Sequence, residues 1–152
     1  MKPIGEFKTV DYRCFIQVDK AFLPALQELA GFSHLQIFWW FSECDDEASR
    51  KILEVSAPYR QSPKTMGVFA TRSPNRPNPI ALSTVGIIQV DQKQGILEIT
   101  HMDAFEGTPI LDLKPYTPSL DRVEHPYVPN WCAHWPTCLE DSASFDWERE
   151  IK

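Results

Sequence analysis

Proline content constrains the fold of this chain more than any other feature of its sequence. Thirteen prolines occur among the 152 residues, and most of them lie between Pro58 and Pro136. A proline inside a helix removes a backbone donor and clashes with the preceding turn, so long uninterrupted helices are excluded from this stretch. The sequence therefore predicts short strands and turns as its main elements.

Two short helical patterns precede the proline-rich stretch. The first covers residues 22–29, where apolar residues recur at helical spacing behind Asp19 as a candidate N-cap. The second covers residues 48–55 and follows two further candidate caps, Asp45 and Asp46. We expect each pattern to form one short helix.

Five other stretches are rich in β-branched and aromatic residues, which is typical of strands. They are residues 7–18, 34–41, 66–71, 80–90 and 95–101. The polar residues 91–95 are typical of a hairpin connection between the last two. Short strands separated by proline and glycine turns predict a mainly β domain, either a small barrel or a sandwich.

Composition narrows the class of protein. The chain is 43% hydrophobic and 24% charged, close to the average of a globular domain. It has no apolar run long enough to cross a bilayer and no apolar signal core near its start, so we expect a cytoplasmic protein with no membrane partner and four reduced cysteines. A formal net charge of −6 argues against a broadly basic surface for binding polyanions, and leaves room for a small local basic site.

One segment is unusual for a scaffold. Residues 67–83 read GVFATRSPNRPNPIALS, so a predicted strand runs into a loop with three prolines before another strand begins. The prolines stiffen the loop and leave its carbonyls free to accept hydrogen bonds. Arg72 and Arg76 are forked cations suited to carboxylates or phosphates. The loop is either a ligand platform or a rigid turn whose arginines pair with the protein's own acids.

A second segment, residues 103–116, reads DAFEGTPILDLKPY and combines a glycine turn with charged and aromatic side chains. Gly107 permits a tight turn with a close backbone approach, and Thr108 offers a hydroxyl beside it. The acids of this segment can accept from a ribose or an amine, and Phe105 can stack on a base or face a cation. A loop with an ordinary surface salt bridge is the alternative interpretation.

Together these two segments resemble the TsaA/YaeB/TrmO-like family, and residues 31–41 (GFSHLQIFWWF) match the family's stretch ahead of the core. The similarity covers residues 4–121, which implies one domain over 1–152 with a C-terminal extension at 122–152. It further implies a single-sheeted β-barrel with one or two short helices that forms a homodimer and binds S-adenosylmethionine. Characterised members methylate N6 of threonylcarbamoyladenosine beside the tRNA anticodon, so tRNA is the implied substrate.

The resemblance also implies site residues by position. The cofactor contacts would be Ser42, Glu43, Arg72, Leu82, Phe105, Glu106, Gly107 and Thr108. Methylation of an exocyclic amine requires loss of a proton, for which Asp103, Asp112 and Tyr116 are the candidate acceptors. Arg76 is the candidate contact to a phosphate or carboxylate of the methyl acceptor.

The sequence departs from the family pattern in ways that leave other functions open. Only residues 10–14 connect the first two predicted strands, whereas relatives carry a longer loop here that touches the cofactor. Arg13 is the one candidate to replace that cofactor contact. Ser42-Glu43 stands where relatives often have histidine and a polar residue, and Ala81 replaces a usual glycine. The alternatives are a non-catalytic S-adenosylmethionine sensor, or a methyltransferase for a small molecule or protein.

The C-terminal region offers weaker candidates. Cys132, His134 and Cys138 form a spacing that matches no standard zinc pattern, so no metal is expected. The tail at 140–152 is acidic and contains apolar residues that can form a short docked helix, although short acidic tails are typical of solvated surfaces. The aromatic run at 38–41 is too apolar to be wholly exposed, and predicts core packing with any excess in a subunit interface.

Overall fold

Buried and half-buried side chains alternate along β3, because six of the strands close into an antiparallel barrel with one face inward. A computed structural model describes all of residues 1–152. Its strands are β1 Gly5–Val10, β2 Arg13–Val18, β3 His34–Trp40, β4 Glu54–Ser56, β5 Thr65–Gly67, β6 Ile80–Asp91, β7 Ile96–Ile99 and β8 Pro109–Pro115. The barrel order is β1-β2-β7-β6-β3-β8, and β4 pairs with β5 outside it. The mainly β barrel is confirmed, and the sandwich alternative is wrong.

Most predicted strands are confirmed, but one of them is only partly extended, and strands β4 and β8 were not predicted. Residues 7–18 form the β1–β2 hairpin, and the predicted hairpin at 91–95 joins β6 to β7. Residues 66–71 were expected to be one strand, but only Thr65–Gly67 is extended, and Val68–Ala70 forms a 3-10 turn. Strand β8 was not expected, because two prolines and two charged residues interrupt its apolar pattern.

In place of the helix expected over 48–55, only Glu47–Arg50 is helical and Glu54–Ser56 is strand β4, so the α-helices are shorter than the apolar spacing predicted. They are α1 Glu47–Arg50, α2 Pro118–Asp121, α3 Leu139–Ser142 and α4 Trp147–Glu150. Asp46 caps α1 by accepting from the backbone N–H groups of Ala48 and Ser49, as expected. The predicted helix at 22–29 is confirmed only in part, as two 3-10 helices at Lys20–Leu26 and Leu29–Gly31. It is not one continuous helix, because Pro24 cannot donate and Glu28 adopts a left-handed conformation with φ of 66°. None of the helices combines the length and apolar composition of a membrane span.

The barrel interior is filled by side chains from every strand of the sheet. Fully buried residues include Phe7, Ile16, Leu35, Ile37, Leu97 and Ile110. Trp39 also points inward, and its indole N–H donates to Ser83 Oγ at 3.0 Å. Since the interior is packed solid, any ligand site of this chain lies at a barrel end or on its outer surface.

The C-terminal tail packs against the segment that follows β4. Trp131 stacks on Tyr59 with ring centroids 5.4 Å apart, and Lys152 donates its backbone N–H to the Pro58 carbonyl at 3.0 Å. Glu150 is only 4% exposed and lies 3.1 Å from the imidazole of His134. The expected docked helix is present as α4, whereas the expectation of a solvated acidic face is wrong at Glu150.

A strained turn closes the β1–β2 hairpin. Asp11 and Tyr12 have φ of 48° and 63°, the left-handed region that favours glycine at both central positions of a two-residue hairpin turn. A non-glycine residue in this region costs about 1–2 kcal/mol. The side chain of Tyr12 is fully exposed and makes no packing contact that would offset this strain.

We therefore expect Tyr12→Gly to raise the free energy of unfolding by about 0.5–1 kcal/mol, the relief of strain less the extra entropy of an unfolded glycine. Urea denaturation measures the change. Tyr127→Gly is the matched control, because Tyr127 is 95% exposed and has an ordinary φ, and it should give no gain. Equal or lower stability of Tyr12→Gly would show that the turn is not strained.

Candidate functional site

Three connecting segments meet at the end of the barrel where β3 ends and β8 begins. Trp39 of β3 pairs with Ile110 of β8, so the residues after β3 face the turn that precedes β8. The backbone N–H of Phe41 donates to the Pro79 carbonyl at 2.8 Å, which brings the proline-rich loop against the same end. Sheet register therefore places the two segments singled out in the sequence side by side.

A cavity of about 380 Å³ opens between these segments. Its walls are residues 39–44, Pro74 and residues 103–108. The volume is within the range of small-molecule sites in proteins, about 300–1,000 Å³. Seven of the twelve sequence-predicted site residues line it: Ser42, Glu43, Asp103, Phe105, Glu106, Gly107 and Thr108.

The wall at 103–108 is a turn anchored to strand β1. Gly107 has φ of 79°, and its N–H donates to the Phe7 carbonyl at 2.9 Å. The Glu106 carboxylate accepts from the Thr9 hydroxyl at 2.8 Å and from the Thr9 backbone N–H at 2.6 Å. These hydrogen bonds, with a smaller contribution from Lys8, hold the pKa of Glu106 below the usual glutamate value. Glu106 therefore joins the cavity turn to the first hairpin.

The opposite wall begins where β3 gives way to the 3-10 turn Ser42–Cys44. The Trp40 indole N–H donates to the Asp45 carboxylate at 3.0 Å, and the Arg50 guanidinium binds the same carboxylate. These bonds hold the pKa of Asp45 below its usual value. Burial, with the nearby negative charges of Asp46 and Glu43, raises the pKa of the Cys44 thiol, so this cysteine is a poor nucleophile near neutral pH.

The charges around the cavity have a single sign. Glu43, Asp103 and Glu106 contribute carboxylates, and no lysine, arginine or histidine is among the lining residues. Trp39, Trp40, Phe41 and Phe105 are also among the lining residues. An aromatic and acidic cavity without a cation is suited to a ligand that carries a positive charge.

The two arginines of the proline-rich loop bind backbone carbonyls. Arg72 donates to the Leu82 carbonyl at 3.0 Å, and Arg76 donates to the Val68 carbonyl at 3.3 Å. Neither arginine forms a salt bridge, so the alternative in which they pair with the protein's own acids is wrong. Both lie outside the cavity lining and keep an uncompensated charge.

Three further predicted residues also lie outside this cavity. Asp112 and Leu82 flank Phe38 in register, in one row across the outer face of β8, β3 and β6. The Asp112 carboxylate binds Lys114 Nζ at 2.6 Å. Tyr116 follows the far end of β8, about 26 Å along the strand from Thr108 at roughly 3.3 Å per residue. The predicted site is thus divided between a barrel end, an outer face and the opposite end.

Several cavity residues were missed in the sequence. Trp39, Trp40 and Phe41 were assigned to the core and an interface, because an aromatic run does not show where its strand ends. Strand alternation with an end at Trp40 would have identified Phe41 as a rim residue. Cys44 and Pro74 have no local signal, and only the fold brings them to the cavity.

Arg13, the candidate replacement for the cofactor contact of the longer loop, binds a carboxylate outside the cavity. Arg13 binds Glu98 through two contacts, Nε to Oε1 at 2.7 Å and Nη2 to Oε2 at 2.5 Å. Glu98 lies on β7, away from the cavity, and is 8% exposed. Arg13 therefore compensates a nearly buried carboxylate, and does not line the cavity.

Comparisons with known proteins agree on one family. Residues 3–122 match the model of the tRNA-methyltransferase O N-terminal domain. The chain is 40% identical over 123 residues to a probable S-adenosyl-L-methionine-binding protein of Pyrococcus abyssi, covering 81% of this chain and 62% of that protein. It is 40% identical over 101 residues to the tRNA (adenine(37)-N6)-methyltransferase of Escherichia coli, covering 65% of this chain and 42% of that enzyme.

A solved structure gives the same result for the fold. The crystal structure of TrmO from Pseudomonas aeruginosa superposes with a TM-score of 0.62 at 26% identity, covering 82% of this chain and 58% of that one. The chain thus spans less than two thirds of each of these three relatives.

The bond between Glu106 and Thr9 predicts a specific pH dependence. A carboxylate whose pKa is lowered by folding stabilises the protein above its ordinary value of 4.5, and this contribution is lost as the pH falls through the lowered value. We expect Glu106→Ala to lower the thermal midpoint at pH 7 and the difference from wild type to vanish in acid.

Thermal unfolding between pH 2 and pH 7 measures this difference. Glu124→Ala is the matched control, since Glu124 is exposed and forms no salt bridge. A constant gap between Glu106→Ala and wild type at every pH would contradict the assigned role of the carboxylate.

Proposed function

The chain belongs to the TrmO-like family of the tRNA-methyltransferase O N-terminal domain, and on that premise we propose that it is an S-adenosylmethionine-dependent methyltransferase. The proposed acceptor is N6 of threonylcarbamoyladenosine at position 37 of tRNA, the position in the name of the Escherichia coli relative. We further propose that residues 1–152 act as one domain, with the activity in a core at 4–121 and an extension at 122–152.

The observation that carries the proposal is the charge of the cavity. Its lining includes three acidic residues, four aromatic residues and no lysine, arginine or histidine. A sulfonium is a cation that carboxylates, carbonyls and aromatic faces stabilise, and that a neighbouring ammonium or guanidinium would repel. The residues present therefore fit S-adenosylmethionine. Ser42, Glu43 and the turn at 105–108 are the proposed cofactor contacts.

When bound, S-adenosylmethionine supplies an electrophilic methyl group on its sulfonium. The side chains of this protein then serve to position the acceptor and to remove its proton. Asp103 is the proposed proton acceptor, because it lines the cavity while Asp112 and Tyr116 do not. Trp40 and Phe41 exclude water from one wall, which favours a fixed approach of the amine. Arg76, which has no acidic partner, is the proposed contact to a phosphate or carboxylate of the acceptor.

One observation favours a second function. The β1–β2 connection is a tight two-residue turn, so no residue of that connection lines the cavity. A cavity with fewer contacts on this side suits a module that binds S-adenosylmethionine and transfers no methyl group. Transfer to a small molecule or protein is a further alternative, which the net charge of −6 would suit.

Two measurements separate these functions. Calorimetric titration with S-adenosylmethionine tests binding, and incubation with the labelled cofactor and tRNA from a strain that lacks the methylase tests transfer. Label in tRNA supports the proposed enzyme. Saturable binding without label in tRNA, protein or small molecules assigns the chain to the sensor class, and absence of binding contradicts both.

We expect Phe105→Ala to weaken binding of S-adenosylmethionine about tenfold. Phe105 lines the cavity yet is 72% exposed, so its ring is free to cover a bound cation. Calorimetry gives the dissociation constant. Phe32→Ala is the matched control, because Phe32 precedes β3 at the opposite end of the barrel, and should bind as wild type does. Equal affinity of both variants would exclude Phe105 from the site.

We also propose a homodimer, in which the outer face of β3 and β6 covers the cavity of a second copy. Leu82 is 36% exposed on this face and Phe69 is 80% exposed nearby in sequence. Such an arrangement would bring Arg72 and Leu82 of one protomer to the cofactor of its partner, which accounts for their position outside the cavity. A tRNA substrate and four unpaired cysteines are compatible with the cytoplasm.

Leu82→Asp should therefore convert a dimer into a monomer and weaken cofactor binding at the same time. A charge in an apolar interface loses its hydration without gaining a partner. Analytical ultracentrifugation measures the mass. Ile88→Asp is the control on the same strand, with a side chain that is 59% exposed and further from the cavity end. A wild-type monomer would contradict the proposal.

A further inference from the structure

The outer face of the β1–β2 hairpin carries cations and aromatic rings on a chain that is acidic overall. Lys8 pairs in register with Phe15, and Arg13 is the first residue of β2. Their side chains share one face, because the alternate residues Phe7, Cys14 and Ile16 point into the barrel. We call Lys8, Tyr12, Arg13 and Phe15 the hairpin platform.

Both cations of the hairpin platform have carboxylate partners, and each retains the capacity for a further contact. The Arg13 guanidinium lies 5.3 Å from the centroid of the Phe15 ring and uses Nε and Nη2 to bind Glu98, which leaves Nη1 free. Lys8 Nζ contacts Glu6 at 3.0 Å, with both side chains nearly half exposed. An exposed pair of this kind contributes little to stability and is readily exchanged for a phosphate contact.

Tyr12 presents an aromatic ring at the tip of the same hairpin. Its side chain is fully exposed, and the left-handed backbone at Asp11 and Tyr12 holds it there at a cost in stability. Strained backbone of this kind clusters at functional sites. An exposed aromatic ring beside cations is the arrangement that binds unpaired bases of single-stranded nucleic acid.

Hydrogen bonds join the hairpin that carries the platform to the turn that lines the cavity. Thr9 of β1 donates two hydrogen bonds to Glu106 of the cavity turn, and the Gly107 N–H donates to the Phe7 carbonyl. Phe105, in the same turn, exposes a second aromatic ring. If one nucleotide of an RNA occupied the cavity, the nucleotides next to it would therefore lie beside this hairpin.

We infer that the hairpin platform binds the single-stranded RNA next to the methylated nucleotide, with Tyr12 stacking on an unpaired base and Lys8 and Arg13 contacting phosphates. This inference rests on the proposed function for its substrate.

Tyr12→Gly provides the test, because relief of strain should raise its stability while loss of the ring should lower its affinity for RNA. Fluorescence anisotropy with a labelled RNA hairpin that has an unpaired loop gives the dissociation constant. Tyr12→Gly should be more stable than wild type and yet bind about tenfold more weakly, as the loss of one stacked base predicts. Tyr12→Phe should retain wild-type affinity, and so should the matched control Tyr127→Gly.

A second variant tests the phosphate contacts. Lys8→Gln should reduce the slope of log affinity against log salt concentration by about 1, with little change in preference among loop sequences. An RNA duplex without a loop should bind Tyr12→Gly and Tyr12→Phe as it binds wild type, because it offers no unpaired base for the ring at position 12 to stack on.

The outcomes distinguish this inference from the proposed function. Equal loop affinity of Tyr12→Gly and wild type, or no binding of the loop by wild type, overturns the inference. A changed oligomeric state of Tyr12→Gly with unchanged RNA affinity also overturns it, and assigns the surface to contact between copies. Failure of wild type to methylate tRNA while it binds the loop contradicts the proposed function alone.

Discussion

Pairing between the first and last strands of the sheet closes the barrel, and the candidate site depends on that closure. Gly5 of β1 pairs with Ile110 of β8, and the Ile4 N–H donates to the Ile110 carbonyl at 2.8 Å. A Cβ at Gly5 would lie 2.2 Å from the Gln17 carbonyl oxygen, so only glycine permits the close approach of β2 here. Because β8 is held between β1 and β3, the turn ahead of it faces the end of β3.

The cavity follows from this geometry without a deep groove in the protein. A barrel packed by side chains such as Phe7 and Leu97 has no room inside, so the site forms where connections meet at one end. Two of these connections are made rigid in different ways. Glu106 binds the turn at 103–108 to β1, and prolines stiffen the loop at 72–79. Rigid loops on a closed sheet can hold a small cation with little entropy lost on binding.

The C-terminal region is stabilised by aromatic contacts outside the barrel. Trp135 lies edge-on to Tyr59 and to Trp147, and the backbone N–H of Arg60 donates to the Glu150 carbonyl. The matched family domain ends at residue 122, so this packing belongs to the part of the chain beyond it. It covers residues 58–60 after β4 and leaves the cavity end of the barrel open.

Local sequence determined the elements that depend on neighbouring residues. Proline excluded long helices, Asp46 capped α1, and β-branched and aromatic residues identified β3, β6 and β7. The family resemblance also predicted that the two distinctive segments lie side by side. Seven of the twelve predicted site residues line one cavity.

Tertiary structure alone decided the rest. Strand β8 forms because β1 and β3 satisfy its backbone groups, although its own composition is unfavourable. The distance from Thr108 to Tyr116 depends on this strand being extended, which separates residues that are close in the sequence. Phe41, Cys44 and Pro74 reach the cavity only through the register of β3 with β6 and β8. Register is a property of paired strands, so no single segment of the chain contains it.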